Sequence, residues 1–238
     1  KGRPVNNRLF IFVVDFLSDT EGALQRIVEF RPHVIEAYAS ILLILAEETA
    51  RRGLPLRPRY AISSGERMPT GMRELVARNL GCELYDRYVM EEFGVVAMEC
   101  SVHDGLHTNC ESFIVEIVDE NGTTLPEGRH GRIIVTDLFN YGMPFIRYDT
   151  GDHGRLSWAQ CSCGVTAPRL WLEGRYSVFL DLGGRRIHHL EFDAALDAFM
   201  NIILQYQVVK RSADEVAVKR IPGPAFNEHA REKIVANI

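Results

Sequence analysis

Lysine is almost missing from this chain: it stands at positions 1, 210, 219 and 233 and nowhere between. Any catalytic lysine must therefore be terminal or absent, and the positive charge is carried by arginine. The common signatures are missing as well. There is no Gly-x-x-x-x-Gly-Lys-Ser/Thr phosphate loop, no Gly-x-Ser-x-Gly elbow, no His-Glu-x-x-His, and no Gly-x-Gly-x-x-Gly after a strand-like run. A net charge of -5 with no basic face or polybasic tail leaves nucleic acid and membrane surface without an electrostatic footprint. No apolar run is long enough to span a bilayer, and the strongest, 41–46, runs straight into Glu47 and Glu48. The first eight residues do not read as a signal peptide, so a cytoplasmic protein is expected. Five cysteines, an odd number, argue for free thiols or a metal and against a disulfide framework. The chain has no initiator methionine and closes in a helical-looking run, which reads as a fragment.

What is present is enough for a sizeable core: 238 residues, 46% hydrophobic. Residues 9–14 are apolar and rich in β-formers. Ser18-Asp-Thr20 can then cap a helix with Leu24, Ile27 and Val28 on one face, stopped before Pro32. A second step follows, with a strand at 34–38 and a helix over 41–52, capped by Ser40 and ended by Gly53. A third has a strand at 60–64, Pro69 at a helix start and Gly81 as the stop; 82–88 supplies a fourth strand. Alternating elements of these lengths predict a layered β-α sheet with parallel strands. From 113 the pattern becomes antiparallel, with 113–118 turning at Asn121-Gly122 and returning over 131–136. After Gly174-Arg175 a small α+β unit is expected: a strand at 178–182, a Gly183-Gly184 turn, a helix over 190–200, and strands near 204–210 and 215–220. The fold class is thus α/β with an antiparallel β region and a small α+β C-terminal domain. The boundary divides 1–174 from 175–238.

Three loops carry chemistry. Tyr141-Gly-Met-Pro-Phe-Ile-Arg-Tyr-Asp-Thr-Gly-Asp152 reads as a strand at 145–148 ending in carboxylates that can accept hydrogen bonds from hydroxyls, or as an ordinary strand-turn. Ser63-Ser-Gly-Glu66 and the 85–92 loop sit where open α/β sheets gather ligands. Gly65 permits close backbone approach, Tyr88 offers an aromatic face, and Glu91 and Glu92 offer the hard oxygens Mg2+ prefers. Against this, Glu66 also reads as a helix N-terminal charge, Tyr88 as core, and the Glu pair as solvated. Cys161-Ser-Cys163 with Cys100 and His107 can close a tetrahedral zinc site, though the one-residue gap departs from the usual finger spacing. His103 is a rival fourth ligand, and Cys82 and Cys110 read as strand or core thiols.

In order, Ser64-Gly65-Glu66, Tyr85-Asp86-x-Tyr88-x-x-x-Glu92, Glu99-Cys100, Gly105-Leu106-His107, Val135-Thr136-x-Leu138, Pro144-x-Ile146-Arg147-Tyr148-x-x-Gly151-Asp152, Cys161-x-Cys163-Gly164 and Gly174-Arg175 resemble the adenylate-forming superfamily, in its phenylacetate–coenzyme A ligase and coenzyme F390 synthetase branch. The resemblance implies ATP-dependent activation of a carboxylic acid, aromatic by the family's habit, to an acyl-adenylate. Transfer to a thiol, usually coenzyme A, would follow. It implies Gly65, Glu66, Asp86 and Tyr88 around adenine and Glu92 at Mg2+. Asp152 would hold the ribose hydroxyls, and Arg175 would lie at a hinge near ribose and phosphate. It also favours Cys100, His107, Cys161 and Cys163 as ligands of a structural zinc, and implies a homodimer. The family's phosphate loop would precede Lys1 and its catalytic lysine would follow Ile238. Where such enzymes have Tyr-Gly-x-Thr-Glu, this chain has Tyr88-Val-Met-Glu-Glu92, and Tyr176-Ser177-Val178 lacks the acidic pair after Gly-Arg. These departures motivate an alternative: a zinc-stabilised, catalytically silent relative that binds a partner or carrier domain.

Overall fold

The computed structural model describes residues 11–175 and 179–237, apart from 189, 190, 193, 194, 197, 198, 200, 201, 224 and 225. Helix α1 (Thr20–Phe30) is capped by Asp19, whose carboxylate accepts the Gly22 N–H at 2.9 Å, and it stops where Arg31 turns left-handed. Strand β1 (Val34–Ala37), helix α2 (Ala39–Arg52), strand β2 (Tyr60–Ser64), helix α3 (Thr70–Leu80) and strand β3 (Glu83–Met90) follow in alternation. Left-handed glycines 53 and 81 end α2 and α3. The three strands pair in parallel, and Leu24, Leu42, Leu45, Leu56, Val76 and Leu80 are buried in the core on the helix side.

Past β3 the chain reverses. Strands β4 (Gly94–Glu99), β5 (Leu106–Thr108), β6 (Phe113–Val118), β7 (His130–Asp137), β8 (Tyr148–Ser157) and β9 (Arg169–Arg175) pair antiparallel. They continue the parallel part as one nine-stranded sheet in the order β1-β2-β3-β4-β5-β9-β8-β7-β6. The expected antiparallel region is therefore an extension of the first sheet. Its own core gathers Tyr88, Val96, Ile133, Val135 and Leu170. Beyond β9, β10 (Phe179–Leu182) pairs with β11 (Arg185–His188), and β12 (Ile203–Lys210) with β13 (Val216–Pro222); helix α4 (Glu228–Asn237) follows. The helix expected over 190–200 falls largely outside the described residues.

Three local expectations are corrected. Residues 11–14 form no strand: Ile11 and Val13 are exposed, with no partner strand among the described residues, and residues 9 and 10 lie outside the described set. Ser40 is not the cap of α2, because the helix already begins at Ala39; Glu66 accepts the Ser40 N–H at 2.8 Å and its hydroxyl at 3.1 Å, supplying the anion the helix start lacks. Residues 145–147 are loop, since Arg147 sits at φ 50. Its N–H donates to Thr136 and its guanidinium to Glu116 and the Gly122 carbonyl, which pins that turn. The 149–152 carboxylates therefore open strand β8; they do not close one.

Candidate functional site

A cleft of about 1270 Å3 lies where β1, β2 and β3 end, with the start of β8 and the end of β9 closing its far wall. This is the carboxyl edge at which open α/β sheets collect ligands. Gly65, Glu66, Asp86, Tyr88, Glu92, Asp152 and Arg175 all line it.

Three of them are joined directly. The Tyr88 hydroxyl donates to Asp152 Oδ2 at 2.6 Å, and Arg175 Nε lies 3.3 Å from Asp152 Oδ1. The Asp152 N–H donates to Thr150 Oγ1, which donates in turn to the Ile133 carbonyl, so the carboxylate is fixed from below. Burial pushes the Asp152 pKa up, and the Tyr88 hydroxyl and the Arg175 charge pull against it. Burial and the neighbouring Asp152 charge hold the Tyr88 phenol protonated, as a donor. Such a carboxylate retains lone pairs for further hydroxyl donors. Glu92 stands apart from this triad. Its partner is Tyr148, whose hydroxyl donates to it at 2.6 Å and holds its pKa below the ordinary range.

Asp86 is placed deeper than a mouth residue. Its backbone N–H donates to Glu99 Oε2 at 2.9 Å, and Arg73 reaches Glu99 Oε1 at 2.8 Å. Burial first, and then the Glu99 charge, push the Asp86 carboxyl up to about 6 against the pull of Arg73. On the opposite wall Gly65 takes φ +74 beside the Tyr38 ring, where a Cβ would come within 2.7 Å of the aromatic edge. Tyr148, Arg73 and Glu99 were not singled out from sequence as site residues. Tyr148 lies within the loop that was, whereas Arg73 reaches the site only through the packing of α3.

The second cluster is Cys100, His107, Cys161 and Cys163, whose ligand atoms all lie within 4.8 Å of one another. Cys100 Sγ is 3.8 Å from Cys161 Sγ, and Cys163 Sγ is 3.3 Å from His107 Nε2. A tetrahedral zinc with bonds of about 2.3 Å to sulfur sets two thiolates about 3.8 Å apart, so the spacing fits the metal. His107 Nδ1 lies 2.9 Å from the Ala167 carbonyl, which can only accept. Nδ1 therefore carries the proton, and the Nε2 lone pair faces the sulfurs, as a metal ligand's must. The Cys163 backbone N–H, aided by His107 and the neighbouring thiols, brings the Cys161 thiol down to about 6. His103 is not part of the cluster: its Nδ1 lies 3.1 Å from Glu99 and its ring leans on Tyr85. Cys82 is half-buried as expected, but Cys110 is exposed in the turn before β6 and is no core thiol.

A scan against models of known protein families finds no match. Among curated proteins, the chain is 32% identical over 225 residues to phenylacetate-coenzyme A ligase of Thermus thermophilus, an alignment covering 90% of this chain and 51% of that protein. With the phenylacetate-coenzyme A ligase of Escherichia coli it shares 35% over 147 residues, 58% of this chain and 33% of that one. The chain thus spans about half or less of the length of the curated relatives it matches. Among solved structures, 2-hydroxyisobutyryl-CoA ligase in complex with R3-HIB-AMP superposes with a TM-score of 0.75 at 22% identity, over 90% of this chain and 50% of that one. Anthranilate CoA ligase in complex with anthranoyl-AMP does so at 0.64 and 16%, over 92% and 45%. At these identities the structures establish the fold. Among the described residues no helix is long and apolar enough to cross a membrane. The chain is a homologue of the phenylacetate–coenzyme A ligases and has the fold of about half of an adenylate-forming CoA ligase.

Proposed function

We propose that the cleft binds adenine nucleotide and serves the ATP-dependent activation of a carboxylic acid to an acyl-adenylate, with transfer to a thiol such as coenzyme A. The observation that carries this reading is the Asp152 carboxylate, held between the Tyr88 hydroxyl and Arg175 at the carboxyl edge of the sheet. A fixed, half-buried carboxylate suits a vicinal pair of ribose hydroxyls, and the cleft has room for a nucleotide and an acid together. In this reading Tyr88 and the Gly65-Glu66 turn flank adenine, with Asp86 beneath them, and Arg175 meets the negative charge beyond the ribose. Mg2+, when bound, would screen phosphate charge, and Glu92 is its candidate ligand. The chain's own part is positioning: a bound nucleotide is oriented by the Asp152 triad, which lowers the entropic share of the barrier. The names of the curated relatives favour an aromatic acid. A hinge near Arg175, the last residue of β9, belongs to the same proposal, as does a structural zinc at the Cys-His cluster, a closed site with no position for a reacting water.

Pyrophosphate release by the full-length protein with ATP, Mg2+ and a panel of aromatic and aliphatic acids tests this. Turnover on at least one acid, reduced about 100-fold or more by Asp152→Ala, is expected when one charge-assisted contact is lost at each of binding and positioning. No nucleotide binding and no pyrophosphate across the panel would contradict it. Val89 and Glu91, both on the cleft wall, favour the second reading of a silent relative, because a β-branched side chain crowds a flat ligand and an added carboxylate repels phosphate. If that reading holds, the native protein gives no pyrophosphate and the double variant Val89→Gly, Glu91→Thr gains it. Turnover by the native protein rules it out.

A further inference from the structure

Glu92 stands in the turn over 91–93 that joins β3 to β4, with Gly94 at φ 72 beyond it. A carboxylate on such a turn keeps its rotamer freedom unless something holds it. Here the holder is Tyr148, the first residue of β8, 56 positions away in the chain, whose hydroxyl donates to Glu92 Oε1 at 2.6 Å. The phenol is itself boxed in. The Phe93 and Phe145 rings meet the Tyr148 ring edge-on, with centroids 5.5 and 5.2 Å away, and Phe93 meets Phe145 and Phe113 in the same way at 5.2 and 5.7 Å. Such edge contacts fix the planes of the rings as well as burying them. The Tyr148 backbone pairs with Val135 of β7, and Phe113 opens β6. The hydroxyl is therefore held from three strands, and Glu92 and Tyr148 both line the cleft.

We infer that Tyr148 is a positioning residue, whose hydroxyl holds the Glu92 carboxylate in place to take the cation that accompanies a nucleotide's phosphates. The inference rests on the nucleotide reading of the cleft and deepens it by naming what orients the metal ligand. A carboxylate has about four acceptor positions, so one phenol hydroxyl leaves room for a cation. Mg2+ is commonly held by one or two carboxylates together with phosphate oxygens and water, a need that a single anchored carboxylate at the cleft wall meets. A hydrogen bond to a ligating carboxylate fixes its direction, and its loss costs about 10–100-fold in metal affinity. Asp152 needs no such help from Tyr148, since Tyr88 and Arg175 are its own partners.

The test is isothermal titration of the full-length protein with ATP at stepped Mg2+ concentrations, and with AMP in the absence of metal. Tyr148→Phe keeps the ring in its aromatic box and removes only the hydroxyl. It should raise the Mg2+ concentration needed for half of the gain in ATP affinity by about tenfold or more, while metal-free AMP affinity stays within about twofold of native. In a Glu92→Gln background the same change should add nothing, because a residue that acts through another is silent once that one is disabled. Phe93→Leu, which loosens the box and leaves hydroxyl and carboxylate in place, should shift the Mg2+ requirement the same way by less, and serves where the phenylalanine variant does not fold. An unchanged or lowered Mg2+ requirement in Tyr148→Phe overturns the inference alone. So does an effect that persists in the Glu92→Gln background, or an equal loss of AMP affinity, which would mark the hydroxyl as support for strand β8. Native ATP affinity that ignores Mg2+, or no nucleotide binding at all, overturns the reading of the cleft on which the inference rests.

Discussion

Asp86 is held against its own chemistry. Burial and the facing Glu99 raise its carboxyl to about 6, well above the ordinary 3.8, so the folded state favours the protonated acid. The stability this lends is full below about pH 4 and is lost as pH rises through about 6, because the unfolded chain ionises more readily than the folded one. Asp86→Asn keeps an oxygen for the Arg87 N–H that Asp86 now accepts at 3.0 Å and removes the charge. Its unfolding free energy should match that of the native protein near pH 4 and exceed it by about 2–3 kcal/mol near pH 8, read from denaturant midpoints across that range. Parallel pH profiles would contradict the placement of Asp86 in this pocket. A destabilised buried acid in a cleft is the pattern expected of a binding position. The stretch carrying Asp86 was legible from sequence as the end of an alternating β-α run, but the loop expected over 85–92 is strand as far as Met90, because Asp86 and Arg87 pair with β2 and residues 87–90 with β4. The depth of Asp86 was not legible: Arg73 and Glu99 come from α3 and β4, and only tertiary packing brings them to it.

At the scale of elements, strand-helix alternation made α1, α2, α3 and the three parallel strands readable, since Asp19 marks the start of α1 and left-handed glycines mark the ends of α2 and α3 in the chain itself. The misreadings are places where a distant partner decides. Residues 11–14 have strand composition and no partner strand among the described residues, while Arg147 is taken out of the strand by bonds to Thr136, Glu116 and Gly122. The Cys-His cluster is the reverse case, where the chain's residue types pointed to a contact that spans 61 positions between Cys100 and Cys161. It joins the β4–β5 turn to the segment between β8 and β9, whose own backbone link is the short β5–β9 pairing. A zinc there would close a long loop much as a disulfide does, a stabilisation of about 2–4 kcal/mol. Chelation at neutral pH should lower the melting temperature by roughly 5–15 °C, at about 2–4 °C per kcal/mol for a chain of this size. Hydrogen exchange should rise first in β5 and around residues 161–167. Cys163→Ser should show the same changes and no further response to chelator. Less than about half a zinc per freshly purified chain would rule out the metal as a stoichiometric part of the structure.

Over the whole molecule, one nine-stranded sheet carries both halves of the cleft. Its parallel end supplies Gly65, Glu66, Asp86 and Tyr88, and its antiparallel end supplies Asp152 and Arg175, so the Tyr88–Asp152 bond joins residues 64 positions apart. That closure explains why the site reads as separate loops in the chain and as one wall in the fold. In the proposed nucleotide complex, Asp152, with Tyr88 and Arg175, grips the hydroxyls of the ribose. Isothermal titration of the full-length protein with AMP and with 3'-deoxyadenosine monophosphate tests it most directly. One AMP per chain is expected, with about tenfold weaker binding of the deoxy analogue, the loss of one charge-assisted hydrogen bond. Asp152→Ala should erase the difference between the two ligands. Equal affinity of the native protein for both, or no binding of either, would contradict a ribose grip at Asp152.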